Sequence, residues 1–197
     1  MGTWIITHSG RVFDYANPTM DMICIEDIAH SLSHQARFAG HAHQFYSVAE
    51  HSLLVARHLP DHAKLEGLMH DAQEAYVTDL PAPLKALLRL QDPRGRSNYD
   101  RLEDEVAQLI EDKFGLFHGD LGGLTNANTR RMIKAADLRA LATEQRDLFS
   151  PSQNTSQTVP YPDQLQNPMA PHLAKREFLR MFNRLHVLRS KSSEKQS

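Results

Sequence analysis

One short stretch constrains this chain more than any other: Leu68-Met69-His70-Asp71-Ala72-Gln73-Glu74-Ala75-Tyr76-Val77-Thr78-Asp79-Leu80-Pro81. An imidazole and three carboxylates fall within ten residues of an otherwise apolar run with helical spacing. Unpaired charges do not settle on an apolar helix face unaided, because the water they lose must be replaced by a partner. The chain must therefore fold so that counter-charges or a cation meet these groups. A divalent cation meets that need, and the rest of the chain then reads as the scaffold that completes its coordination shell.

At 197 residues the chain can bury one substantial core. The expected layout is a single domain over residues 1–188 with a polar, disordered tail over 189–197. No apolar run approaches the length of a membrane span, and the first residues lack the charged-then-apolar order of a signal peptide. A lone cysteine, Cys24, permits no intrachain disulfide. The expectation is a cytoplasmic protein. A net charge of −2 gives no general attraction to nucleic acid or anionic membrane, so neither is an expected partner.

In residues 3–13, apolar, β-favouring side chains flank a Ser9-Gly10 turn, which predicts a small β-hairpin. Everything after it reads as helix and loop. Ile25, Ile28, Ala29 and Leu32 recur at helical spacing, and a polar loop with an arginine and aromatics follows from Gln35 to Tyr46. Ser47-Val48-Ala49-Glu50 is a capping-box pattern that starts a helix reaching Leu59, with His51 on its apolar face. Asp61 is the expected N-cap of one helix carrying Leu65, Leu68, Met69 and Ala72, and Gly67 would let a neighbouring helix approach. Further helices are expected over Pro81–Leu88, Asp100–Phe114, Asn126–Phe149 and Pro171–Leu188, with breaks at 91–98, 119–123 and 150–170.

His51, His70, Asp71 and Asp137 each interrupt an apolar helix face. Alone, a histidine or aspartate in such a place is more often hydrogen-bonded structure than a ligand. Together they make a mixed nitrogen and oxygen donor set, suited to Mn, Fe, Co, Ni or Zn rather than Ca or a thiolate-bound ion. Spacing does not show that the helices carrying them meet.

The order His51…His70-Asp71…Asp137 resembles the signature of the HD-domain phosphohydrolase superfamily. The likeness extends through Arg37-Phe38-Ala39-Gly40-His41, Phe45 to Ser52, and His70-Asp71-Ala72-Gln73-Glu74-Ala75-Tyr76 with Asp79-Leu80-Pro81-Ala82-Pro83-Leu84-Lys85. It continues in Lys134 to Asp137, Ala142-Thr143-Glu144 and the segment from Pro168 to Leu185. Those stretches resemble bacterial HD-domain 5′-deoxynucleotidases of the YfbR/YfdR type, a group that includes phage dATP triphosphohydrolases (DatZ). The resemblance implies an all-α HD-domain helical bundle beside the small N-terminal hairpin. It implies that His51, His70, Asp71 and Asp137 ligate a divalent metal ion, with Co, Mn, Zn and Mg as the candidates. By the same carry-over, Glu74 and Asp79 are catalytic, and Arg37, Phe38 and Lys85 contact the substrate. Phe38 departs from the tryptophan that some members carry, so base and sugar preference do not transfer.

The expected function is hydrolysis of the α-phosphate ester of a 2′-deoxynucleotide, turning a monophosphate into deoxynucleoside and phosphate. The alternative is a dATP or dNTP triphosphohydrolase releasing intact triphosphate, for which the basic group Arg89, Arg94, Arg96 and Arg101 could reach the tail; a solvated face is the competing use of that group. A third reading is an inactive nucleotide-binding regulator, which would be expected to have lost a ligand or Glu74. The GYP motif of cyclic-dinucleotide phosphodiesterases is missing, and an RNA-directed nuclease would show a basic surface. Relatives of this type self-associate, so a homo-oligomer is expected.

Overall fold

The computed structural model describes residues 2–117, 126–151, 156–165 and 167–194, with side chains through residue 189. The expected break at 119–123 lies outside them. The fold is mostly helical with one two-stranded antiparallel sheet, as expected.

Strands β1 (Trp4–Ile6) and β2 (Val12–Asp14) pair in the register Trp4↔Asp14, Ile5↔Phe13 and Ile6↔Val12. Side chains alternate across the ribbon, so Phe13 points into the core while Trp4, Ile6 and Val12 face outward. Asp27 pins the hairpin turn to helix α1 (Ile25–His34). Its carboxylate accepts from Thr7 Oγ1 at 2.9 Å, Ser9 N at 2.6 Å and Ser9 Oγ at 2.7 Å.

Helix α2 (Val48–Arg57) is the axis of the bundle, and every residue from Val48 to Ala56 is buried. A helix covered on all sides needs neighbours all round. Helices α1, α3 (Lys64–Leu68), α7 (Asn126–Leu148) and α8 (Pro171–Glu194) supply them. Its start is fixed by the expected capping box: Glu50 N donates to Ser47 Oγ at 3.2 Å while Ser47 N donates to Glu50 Oε2 at 3.1 Å. The close approach at Gly67 is real, since a Cβ there would lie 2.1 Å from Leu59 Cδ1. Phe178, Phe182 and Leu185 of α8 are core residues, the first fully buried.

Several boundaries differ from the sequence reading. The single helix expected from Asp61 is a 3-10 turn (Asp61–Ala63), α3, a non-helical turn from Met69 to Gln73, and α4 (Glu74–Val77). Asp61 caps nothing; its carboxylate accepts from Lys64 Nζ at 2.7 Å inside that turn. Helix α5 runs over Ala82–Gln91, beyond Leu88. Helix α6 (Asn98–Phe114) begins ahead of Asp100 because Ser97 and Asp100 form a second capping box, and it ends at Gly115 with φ +62° as expected. Helix α8 continues to Glu194, so the tail expected from 189 is helical through that residue; 195–197 lie outside the described residues. Arg189 ties this end down by donating to the fully buried Glu66 and to the Gly115 carbonyl. Among the described residues no helix is long and apolar enough to cross a membrane.

Candidate metal centre

His70 and Asp71 stand side by side in the turn between α3 and α4, whose backbone closes with tight bonds from Ala72 N to Met69 O and from Glu74 N to Asp71 O. His70 Nε2 comes within 3.1 Å of Asp71 Oδ2. From α2, His51 Nε2 lies 3.6 Å from the same oxygen and 3.2 Å from Asp137 Oδ1 on α7. The expected ligand residues from three parts of the chain therefore converge on one point, and His51, His70 and Asp137 offer donor atoms all within 4.8 Å of one another. Ligands about 2.0–2.2 Å from a common ion stand roughly 3 Å apart, the spacing seen here.

The outer nitrogens fix how each ring is turned and which of its atoms faces the cluster. His70 Nδ1 lies 2.8 Å from the Gly67 carbonyl, which can only accept, so Nδ1 carries a proton and Nε2 is the atom turned toward Asp71. His51 Nδ1 lies 2.7 Å from Glu144 Oε1 and donates to that carboxylate. Both Nε2 atoms are buried without a hydrogen-bond partner and face carboxylate oxygens, which are also acceptors. Acceptors gathered around one point need a proton or a cation between them. The donor set, the spacing and the two orphaned nitrogens fit a divalent ion of the Mn, Fe, Co, Ni and Zn group.

Without an ion, the charges redistribute as physics requires. Burial and the Arg37 charge depress the His51 imidazole, but Glu144 and Asp137 outweigh them and leave its pKa raised to about 9. Burial likewise opposes ionisation of Asp71 and Asp137, yet the surrounding imidazoles hold both below the ordinary carboxylate range.

Glu144 is the candidate site residue to which sequence reasoning gave no role. It is fully buried, holds His51 through Nδ1, and accepts from Arg37 Nε at 3.0 Å, with the charged Nη2 2.9 Å from the same oxygen. A carboxylate behind a ligating histidine fixes the ring and strengthens the ligand. Its signal was available: Glu144 stands two turns after Asp137 and so on the same helix face. Arg37, expected to grip phosphate, thus already has a carboxylate partner. Phe38 is half-buried with φ +56°, edge-on to Phe149 at 4.9 Å, with the Arg37 guanidinium 5.3 Å from its ring centre.

Glu74 opens α4 one turn after the dyad and is buried, with Oε2 lacking any hydrogen-bond partner. Burial first, then the Asp71 and Asp79 charges, raises its pKa well above the usual value. Asp79 is also raised, by burial ahead of the Arg37 attraction that opposes it. Lys85 on α5 donates to Glu103 Oε1 at 2.7 Å and lies 3.6 Å from Glu74 Oε1, so its ammonium borders the acid cluster. The arginines of the 89–101 group are all ion-paired: Arg89 with Asp100, Arg94 and Arg101 with Asp92, and Arg96 with Asp104. A cavity of about 240 Å³ opens beside His70, Asp71 and Asp137, with Arg130 and Lys134 in its wall.

No family model matches the chain. It is similar to a protein of Escherichia coli called uncharacterized protein YfdR, at 39% identity over 194 residues, covering 95% of this chain and 98% of that one. An uncharacterized protein of Rhodobacter capsulatus is 38% identical over 143 residues, covering 68% of this chain and 67% of its own. Neither name states an activity.

Proposed function

The chain belongs to the family of the Escherichia coli protein YfdR, and we propose that it is a metal-dependent phosphohydrolase acting on the α-phosphate ester of 2′-deoxynucleotides. The observation that carries the proposal is the pair of buried, partnerless imidazole nitrogens facing Asp71 and Asp137, with an acid of raised pKa one turn away. Pool hydrolysis of a monophosphate, giving deoxynucleoside and phosphate, is the preferred reaction. The resemblance in sequence supplies the substrate class.

His51, His70, Asp71 and Asp137 would hold the cation. When bound, a divalent ion polarises a phosphoryl oxygen and acidifies a water molecule for attack on phosphorus. The attack breaks the bond between phosphorus and the 5′ oxygen, and that oxygen leaves needing a proton. Glu74 is suited to supply it, because its burial among acids keeps a proton on the carboxyl at higher pH than usual. Arg37 and Lys85 place positive charge at the edge of the same acid cluster, where they offset the phosphate's charge. The attacking water gives up one proton, and Glu74, deprotonated after serving the leaving oxygen, takes one back, so the acid is restored at the end of each turnover.

The monophosphate is preferred because the arginines that could reach a longer tail are engaged by carboxylates. The second reading, release of triphosphate from dATP, has in its favour the cavity beside the ligand residues, although the cations in its wall are also paired, Arg130 with Glu111 and Lys134 with Asp137. Metal-stripped protein is incubated with dAMP, dATP and ATP, with and without added Co²⁺ or Mn²⁺, and the products are separated by chromatography. Metal-dependent deoxyadenosine and phosphate from dAMP support the first reading, and deoxyadenosine with intact triphosphate from dATP supports the second. No metal-dependent product from these or from the other deoxynucleotides removes the enzymatic reading altogether.

A further inference from the structure

Gln35 belongs to no motif and carries no charge, yet every hydrogen-bonding position of its side-chain amide is used. Nε2 donates to Ser31 Oγ at 2.9 Å and to the Glu74 carbonyl at 2.8 Å. Oε1 accepts from the Asp79 amide at 3.0 Å and from Thr78 Oγ1 at 3.2 Å. Two donors and two lone pairs are the full capacity of a carboxamide. The Glu74 carbonyl can only accept and the Asp79 amide can only donate, so the amide has one allowed orientation.

Its backbone is equally committed. Gln35 N donates to Ser31 O at the end of α1, and Gln35 O accepts from Val48 N at the start of α2. Arg37 N donates to Tyr46 O, so residues 35–37 run antiparallel to 46–48 around the bridge Ala36↔Ser47. Residues two apart on an extended segment project to the same side. Gln35 and Arg37 therefore reach the site together, Arg37 toward Glu144 and Gln35 toward the segment that bears Glu74 and Asp79.

That segment is strained. Thr78 has φ +69° and ψ +154°, a region that a β-branched residue avoids. Such a conformation persists only where its surroundings over-determine it. Gln35 holds the Thr78 hydroxyl and the following amide, and Tyr99 OH donates to the Thr78 carbonyl at 2.7 Å from the other side. If Thr78 relaxed to negative φ, the chain direction after α4 would change and Asp79 would leave the acid cluster.

We propose that Gln35 is a positioning residue of this centre: its amide clamps the strained Thr78 turn and so sets the mutual placement of Glu74 and Asp79. The inference rests on the phosphohydrolase reading for its catalytic consequence, and on geometry alone for the clamp. A misplacement of about 1 Å at a reacting group can lower turnover by roughly 100-fold.

The test compares wild type with Gln35→Leu, which keeps the volume and removes all four bonds, and Gln35→Glu, which keeps the shape but sets a carboxylate oxygen against the Glu74 carbonyl. Amide hydrogen exchange at Asp79 reads the clamp without any substrate. Mn²⁺ calorimetry, kcat and KM read the site. In Gln35→Leu, exchange at Asp79 accelerates at least tenfold and kcat falls about 10–100-fold, while KM and Mn²⁺ affinity stay within threefold. Gln35→Glu behaves the same way. Adding Thr78→Gly to Gln35→Leu recovers at least threefold in kcat, because glycine takes this turn without strain. Wild-type exchange in Gln35→Leu overturns the clamp, whatever the activity. Unchanged kcat with accelerated exchange, or a kcat loss matched by an equal loss of Mn²⁺ affinity, overturns the positioning role. Absence of turnover in the wild type itself strikes the phosphohydrolase reading instead, and leaves the exchange experiment to decide the clamp.

Discussion

Replacing Glu144 with glutamine changes one oxygen to a nitrogen and should disturb both stability and metal affinity. In the structure this carboxylate is fully buried, and its partners are His51 Nδ1 at 2.7 Å and the Arg37 guanidinium at 2.9–3.0 Å. The amide of Glu144→Gln can still accept from one of them, but it cannot neutralise Arg37, whose side chain is only 11% exposed. Leaving one member of a buried pair uncompensated costs about 3–5 kcal/mol, and the lower end applies because Arg37 keeps some access to water. Loss of a carboxylate behind a metal-bound histidine typically costs 10–100-fold in affinity, or about 1.4–2.7 kcal/mol. Urea unfolding of the metal-free protein should show a loss of about 3 kcal/mol, and Mn²⁺ calorimetry a dissociation constant raised at least tenfold. Unfolding within about 0.5 kcal/mol of wild type, the usual scatter of an inconsequential substitution, together with unchanged Mn²⁺ affinity, would refute the role given to Glu144.

Other substitutions probe the scaffold. Gly67→Ala places a methyl against Leu59 Cδ1 and should cost about 1–2 kcal/mol in urea unfolding. It should also weaken Mn²⁺ binding, because the Gly67 carbonyl orients His70; stability and affinity both unchanged would contradict the close packing. Arg189→Ala strands the buried Glu66 carboxylate and should lower stability by about 2–3 kcal/mol, discounted for the partial exposure of Arg189; a neutral result would mean that the end of α8 is not tied down. His30 is stacked between His8 at 3.6 Å and His34 at 4.1 Å, and burial, then its histidine neighbours, depresses its pKa to about 4. Since the unfolded chain takes up a proton near pH 6.5 and the folded one only near 4, this group removes stability progressively as pH falls through that interval. His30→Gln should flatten the stability profile there, and an unchanged slope in unfolding at pH 7.5 and 5 would contradict the stacking argument.

Local signals were legible in the sequence and long-range ones were not. The Ser47–Glu50 capping box and the Gly115 stop are written within a few residues, and both hold in the structure. The four proposed ligand residues stood out because each interrupts an apolar face, although only the fold brings them close to one another. The break between α3 and α4 was hidden because apolar spacing continues through it. Glu144 and Gln35 escaped for a different reason. Each acts by bonding a partner more than 35 positions away, in the two cases His51 and the 74–79 segment, and no local pattern encodes such a pairing. The end of α8 reads as a tail by composition, but one arginine–glutamate pair across 123 positions anchors it.

The central claim is that His51, His70, Asp71 and Asp137 hold one divalent cation. Metal-stripped protein titrated with Co²⁺ gives the most direct test, since the visible absorption of the bound ion reports its ligands. The account predicts saturation at one equivalent per chain, and loss of the absorption in Asp137→Ala while the far-ultraviolet circular dichroism of that variant stays that of the wild type. No saturable absorption, or an unaltered spectrum in that folded variant, would contradict it.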